Sequence, residues 1–231
     1  MKYILVIVIN SLYFNNSQAF NFVGIAYDLN TENIIYYENH TVILNKEGQY
    51  KRANVVYKYP SGEEFANKEL IFSSPLTIPS FDFDNFYSHT KINLKNLNGV
   101  AYLRYESEGV SISKSFEVSD YLVADAGFDQ LVIKNWDLLV SGNVLKFHFI
   151  VPSRGEAVSF RLLTKSINKS VITFILQPEN WLFRLLVDDI TLVYGKYDKR
   201  IKEYIGLTNI EKISDGELTG DYYKARIKYQ Y

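Results

Sequence analysis

There is no cysteine among the 231 residues. This excludes disulfides, thiolate metal sites, a cysteine nucleophile and the acylated N-terminal cysteine of a bacterial lipoprotein. Charge of one sign is also missing, since 25 Lys plus Arg stand against 26 Asp plus Glu. No global field draws the chain to DNA, RNA or an anionic membrane surface, so no nucleic-acid partner is expected. Long apolar runs are absent too: the run from Tyr3 to Ile9 stops at Asn10, far short of the ~20 residues a membrane-spanning helix needs. No transmembrane segment is expected in the mature protein. A Walker loop, a Gly-x-Ser-x-Gly elbow and a dinucleotide fingerprint are all missing, which leaves the common enzyme classes and their cofactors without support.

Aromatic residues are abundant, at 16% of the chain with 19 Tyr and 15 Phe, and these types suit pleated, half-buried surfaces and ligand-lined walls. Hydrophobic residues at 47% and charged residues at 22% are ordinary globular usage, so the chain folds. At the N-terminus, Lys2 supplies a positive charge and Tyr3 to Ile9 an apolar core. Ser17, Gln18 and Ala19 put small residues at the two positions a signal peptidase reads. The expected organisation is a signal peptide over residues 1–19 and a single β-rich domain over 20–231, exported to the periplasm.

Period-two patterning dominates the rest. Tyr223, Ala225, Ile227, Tyr229 and Tyr231 share one face, while Lys224, Arg226, Lys228 and Gln230 share the other. Similar runs recur from Phe22 onward, joined by turns such as Asn45-Lys46-Glu47-Gly48, Tyr59-Pro60-Ser61-Gly62 and Asn96-Leu97-Asn98-Gly99, whose brevity implies antiparallel neighbours. The weakest boundary is Ser73 to Asn98, rich in Ser, Asn, Pro and Asp. Between Asp125 and Ser141 the step changes: Phe128, Leu131, Val132, Trp136 and Leu139 recur at three- and four-residue spacing, which predicts one long helix with Asp125 at its N-cap and Gly142 at its end. A shorter helix is expected over residues 179–186. The predicted fold is mainly β (a β-rich α+β arrangement): a curved antiparallel sheet or half-barrel of about ten strands, with the helix at about 125–141 packed on it.

Blocks along most of the mature chain carry a resemblance. Gly24-Ile25-Ala26-Tyr27, Tyr36-Tyr37-Glu38, Ala66-Asn67-Lys68, Ala124-Asp125-Ala126-Gly127-Phe128-Asp129, Val151-Pro152-Ser153-Arg154, Phe160-Arg161 and Gly206-Leu207-Thr208-Asn209-Ile210 resemble an uncharacterised family of exported proteobacterial proteins. That resemblance implies export and a β-rich fold and supplies no reaction. The succession of many antiparallel strands with one long helix is also similar to the periplasmic lipoprotein-carrier half-barrels, an analogy of fold alone.

The three histidines, His40, His89 and His148, show no metal-ligand spacing, and His148 reads as a solvated strand-face residue. Asp125 and Asp129, four apart on the expected helix, are explained by an N-cap and a solvated first-turn acid. Asp188-Asp189 reads as a surface turn. No catalytic residue and no metal ligand is assigned. Glu38, Lys68, Arg154, Arg161 and Arg184 stand among apolar or aromatic neighbours, where a charge must be paired or must meet a ligand. Arg154 and Arg161 are the strongest ligand-binding candidates, because a loop and the strand returning from it bring two guanidinium groups toward one carboxylate or phosphate. The expected function is non-catalytic binding of a lipid or other apolar ligand in the periplasm or cell envelope, the alternative being a structural or protein-interaction component of the envelope. An apolar cavity of roughly 300 Å3 or more with Arg154 or Arg161 at its mouth separates the two.

Overall fold

The computed structural model describes residues 18–180, 188–214 and 217–231. The expected leader up to residue 17, most of the expected helix over 179–186, and Arg184 lie outside them.

Alternation of apolar and polar residues produces the predicted sheet. Its first half is a meander: β1 (Ala19–Asp28), β2 (Ile34–Leu44), β3 (Tyr50–Lys58), β4 (Glu64–Ile71), β5 (Ser80–Asn85), β6 (Thr90–Leu97), β7 (Val100–Ser107) and β8 (Val110–Glu117). A two-residue strand, β9 (Leu122–Val123), then leads to the helices α1 (Gly127–Lys134) and α2 (Trp136–Val140). The second half is another meander: β10 (Leu145–Val151), β11 (Glu156–Ile167), β12 (Val171–Pro178), β13 (Ile190–Gly195), β14 (Ile201–Ser214) and β15 (Glu217–Gln230). Pairing of β1 with β15 joins the halves into one fifteen-stranded sheet, antiparallel throughout except for the parallel pair β9–β10.

The curved antiparallel sheet is as expected, but with fifteen strands rather than about ten. Strands β5 and β6 fall in Ser73 to Asn98, where no strand was expected. Their inward residues Phe81, Phe83, Asn85 and Leu94 are buried, whereas Ser80, Asp82, Asp84, Lys91, Asn93 and Lys95 occupy the outward positions, so composition masked a short alternation. The turns were legible: Gly48, Gly62 and Gly99 all take positive φ where the sequence places them.

The sheet ends in β8 and β9, which are neighbours in the chain. The short 3-10 turn at Pro152–Arg154 contacts β7 and β8, so the two ends are drawn together and the sheet is barrel-like without a closing ladder. The helical segment lies on the concave side, where Leu131, Val132, Trp136 and Leu139 meet Leu145, Phe147, Leu162, Phe174 and Tyr194. Burying each such side chain contributes ~2 kcal/mol, which holds a helical segment too short to be stable alone.

The expected single helix is divided at Asn135, whose side chain donates to the Leu131 carbonyl and whose backbone leaves helical geometry. The N-cap is Ala126, not Asp125. Asp125 instead sits at φ +45° and accepts from Lys68. Among the described residues no helix is long and apolar enough to cross a membrane, a statement about helices only.

Candidate functional site

Inward positions of adjacent strands bring a polar group together inside an otherwise aromatic wall. The register places Gly24 of β1 opposite Glu38 of β2 and Tyr229 of β15, and Glu38 opposite Tyr57 of β3. Strand β4 then places Lys68 beside Val55 of β3 and Phe83 of β5.

Lys68 is 6% exposed. Its Nζ donates to Asp125 Oδ2 at 2.6 Å and lies 5.9 Å from the Tyr57 ring centroid and 5.5 Å from that of Phe83. Burial opposes its charge, yet the Asp125 carboxylate and the Tyr57 hydroxyl outweigh that and hold the ammonium above its ordinary pKa. The ammonium is therefore charged, sheltered and faced by two rings.

Glu38 is also buried. Its Oε2 lies 3.1 Å from His40 Nε2 and accepts from the Tyr229 hydroxyl at 3.3 Å. The His40 ring stacks on Phe22 at 4.2 Å. A β-carbon at Gly24 would meet Tyr229 Cε1 at 2.9 Å and Glu38 Oε2 at 3.0 Å, so glycine is what lets the carboxylate and the phenol converge. Burial first, and the Glu38 charge second, push the Tyr36 and Tyr229 hydroxyls well above their ordinary range. Tyr204 is raised for the same two reasons.

Asp129 occupies the first turn of α1, facing inward. Its Oδ1 and the Tyr194 hydroxyl are buried without a hydrogen-bond partner of good geometry, although the two groups are close enough to interact. Burial pushes the Asp129 carboxyl up to about 6, tempered by Tyr194. Asp129 is therefore an enclosed acid rather than the solvated first-turn acid expected.

Of the five predicted residues Arg184 lies outside the described ones, and the other four separate. Glu38 and Lys68 belong to the interior centre. Arg161 faces outward, opposite Lys146, and its guanidinium donates to Gln177 at 2.7 and 3.1 Å. Arg154 sits exposed on the 3-10 turn and pairs with Glu156 at 3.2 Å. The expected convergence of Arg154 and Arg161 does not occur, because the outward face of β11 carries Arg161 away from the turn. Asp125, His40, Asp129 and Tyr229 are the members the sequence reading missed. The signal for Tyr229 was its place in the C-terminal alternation; nothing local in the sequence showed that a loop aspartate would reach β4.

Two open depressions, of about 400 and 420 Å3, lie over β4–β8. The larger is lined by the charged residues Asp82, Asp84, Lys91, Arg104 and Glu106 among others, and neither contains Arg154 or Arg161. Neither is the apolar cavity expected. Among the described residues no group of three or more His, Asp or Glu is placed to hold a metal ion.

The fold defines a class: an open, barrel-like antiparallel sheet with a short helical segment on its concave side. No family model and no curated protein matches the sequence. Among solved structures, the chain is similar to a β-barrel-like protein of a domain of unknown function, DUF1849, from Brucella abortus, a proteobacterium. The TM-score is 0.50 and the identity 8%, over 93% of this chain and 96% of that one, so the likeness is one of fold.

Proposed function

We propose that the protein is an exported, non-catalytic binder of a lipid or other apolar ligand, which it holds in the periplasm against the concave wall of the sheet. The supporting observation is that inward-facing aromatics remain only partly covered: Phe20, Tyr50, Tyr204 and Tyr229 in one region, Phe149 and Phe160 in the other. Accessible inward rings offer an apolar ligand an aromatic surface to lie against without an enclosed cavity. Export fits the fold. A cut after Ala19 removes one ladder position, Ala19 opposite Ile43, together with the Leu44 amide bond to the Gln18 carbonyl, and leaves Phe20 at the start of β1.

The test is native mass spectrometry of the protein purified from membranes of its host. The expected spectrum contains a species heavier by the mass of a lipid, which collisional activation removes. Apo mass alone, with no lipid raising the melting temperature, contradicts the reading.

A second reading, an envelope interaction protein, is favoured by β8. Its eight residues end the sheet with mostly exposed side chains, and an unpaired strand edge can take a strand from a partner. Ser113→Pro removes one backbone donor from this edge; loss of a partner by this variant, from a protein that carries no lipid, would select this reading.

A further inference from the structure

At one end of the barrel, the start of β1, the start of β3, the end of β15 and the turn before β14 come together. Arg200 stands there, exposed, with its guanidinium carbon 5.0 Å from the Phe20 ring centroid and 4.8 Å from that of Tyr231. Phe20 in turn meets Tyr50 edge-on at 6.2 Å, and Phe22 stacks on Tyr231 at 4.7 Å. The planar cation is thus held against two rings of the same aromatic wall that runs into the interior. Two ring contacts fix the plane of a guanidinium while leaving its N–H donors pointing outward from its edge.

Among the described residues no carboxylate forms an ion pair with the Arg200 guanidinium and no side-chain hydrogen bond engages its donors, whereas the neighbouring cations Lys199 and Lys202 are engaged. Lys202 Nζ binds Asp198 at 2.6 Å and lies 4.9 Å from the Tyr231 ring centroid, while Lys199 Nζ lies 5.4 Å from that of Trp136. Asp198, the nearest acid in sequence, is taken by Lys202 and by the Arg200 backbone amide. From the interior side, Tyr50 and Tyr231 feel the opposing charge of Asp129.

We propose that Arg200 is the head-group site of the binder, taking the carboxylate or phosphate of an amphiphile whose apolar chain lies along Phe20, Tyr50 and Tyr231 into the barrel. The inference rests on the interior-binding reading and assigns its polarity. A planar fork with free donors matches a two-oxygen anion. The enclosed Asp129 carboxylate disfavours a second anion inside, so the head remains at the rim and the chain enters. This places at Arg200 the anion contact expected of Arg154 and Arg161.

The experiment compares dodecanoate, dodecanol and inorganic phosphate by titration calorimetry against the wild-type chain and Arg200→Gln, with thermal melts as the folding control. Dodecanoate is expected to bind the wild type at least tenfold more tightly than dodecanol. Arg200→Gln is expected to erase that difference and leave dodecanol within twofold. If the Gln variant does not fold, Arg200→Lys, which keeps the charge and loses the flat fork, is expected to reduce the preference severalfold. Equal binding of dodecanoate and dodecanol by the wild type, or a preference that survives Arg200→Gln, overturns the head-group assignment while leaving the interior binder standing. Absence of binding by both chains overturns the interior reading itself. Phosphate binding as tight as that of dodecanoate, and lost in Arg200→Gln, makes this a free-anion site and overturns the amphiphile.

Discussion

Lys68 Nζ and Asp125 Oδ2 meet at 2.6 Å across 57 residues of chain, with side chains 8% and 17% exposed. One is on a central strand and the other on the loop before α1, so the pair pins the helical segment to the opposite wall of the sheet. A buried pair contributes little beyond an apolar substitute, yet removal of one partner strands the other.

Lys68→Met is therefore expected to destabilise the protein by about 3 kcal/mol, and Lys68→Met with Asp125→Asn to recover most of that loss. Asparagine tolerates the positive φ of position 125. Because Lys68 titrates above its ordinary value in the folded state, the contribution is present below the unfolded lysine pKa and disappears only as pH rises beyond it, above about pH 10. Urea unfolding of the three variants measures the cycle; a double variant as unstable as Lys68→Met would contradict the pairing.

Asp129 has the opposite sign. Its carboxyl is raised from 3.8 to about 6 on folding, so the folded state holds the proton more tightly and stability falls as pH rises from about 4 to about 7. Asp129→Asn keeps the shape and removes the charge. It is expected to stabilise the protein by about 2 kcal/mol at pH 7, with the gain vanishing near pH 4. Thermal melts at a series of pH values read both the gain and its slope.

Two glycines rank by the obstacle each faces. A β-carbon at Gly127 would fall 2.0 Å from the Thr77 carbonyl oxygen, which is backbone, whereas at Gly24 the obstacles are side-chain atoms at 2.9 Å and beyond. Gly24→Ala is expected to cost about 1–3 kcal/mol by displacing Tyr229 and Glu38. Gly127→Ala is expected to cost more, because α1 must lift away from the β4–β5 connection. Denaturant midpoints give the order, and a milder effect at Gly127 would contradict the placement of α1.

Export makes a separate statement about the chain terminus. The protein recovered from its native host is expected to begin at Phe20, read by intact-mass and N-terminal peptide analysis. A chain that begins at Met1 and resides in the cytosol would remove the envelope from the account.

The sheet was legible because period-two alternation is local: Tyr223 to Tyr231 shows its inward and outward faces in nine residues. The helix was legible for the same reason, but its break at Asn135 depended on a side chain returning to the Leu131 carbonyl. The site was half legible. Glu38 and Lys68 were found because a charge between apolar neighbours is costly wherever it lies. Arg154 and Arg161 were misplaced because nearness in sequence was read as nearness in space, and β pleating sends the guanidinium of Arg161 outward to Gln177. Arg200 passed unnoticed in a run of Lys and Asp, since its partners Phe20 and Tyr231 stand near opposite ends of the chain. Register across β1, β15 and β14 creates that juxtaposition, and no window of sequence contains it.

The most direct measurement of interior binding is photocrosslinking with a dodecanoate bearing a diazirine at the end of its chain, followed by peptide mass spectrometry. The account predicts labels on inward residues of β1, β3, β14 and β15, Phe20, Tyr50, Tyr204 and Tyr229 among them. Labels confined to outward residues such as Tyr102, Arg104 and Asp82, over the charged depressions, would contradict it.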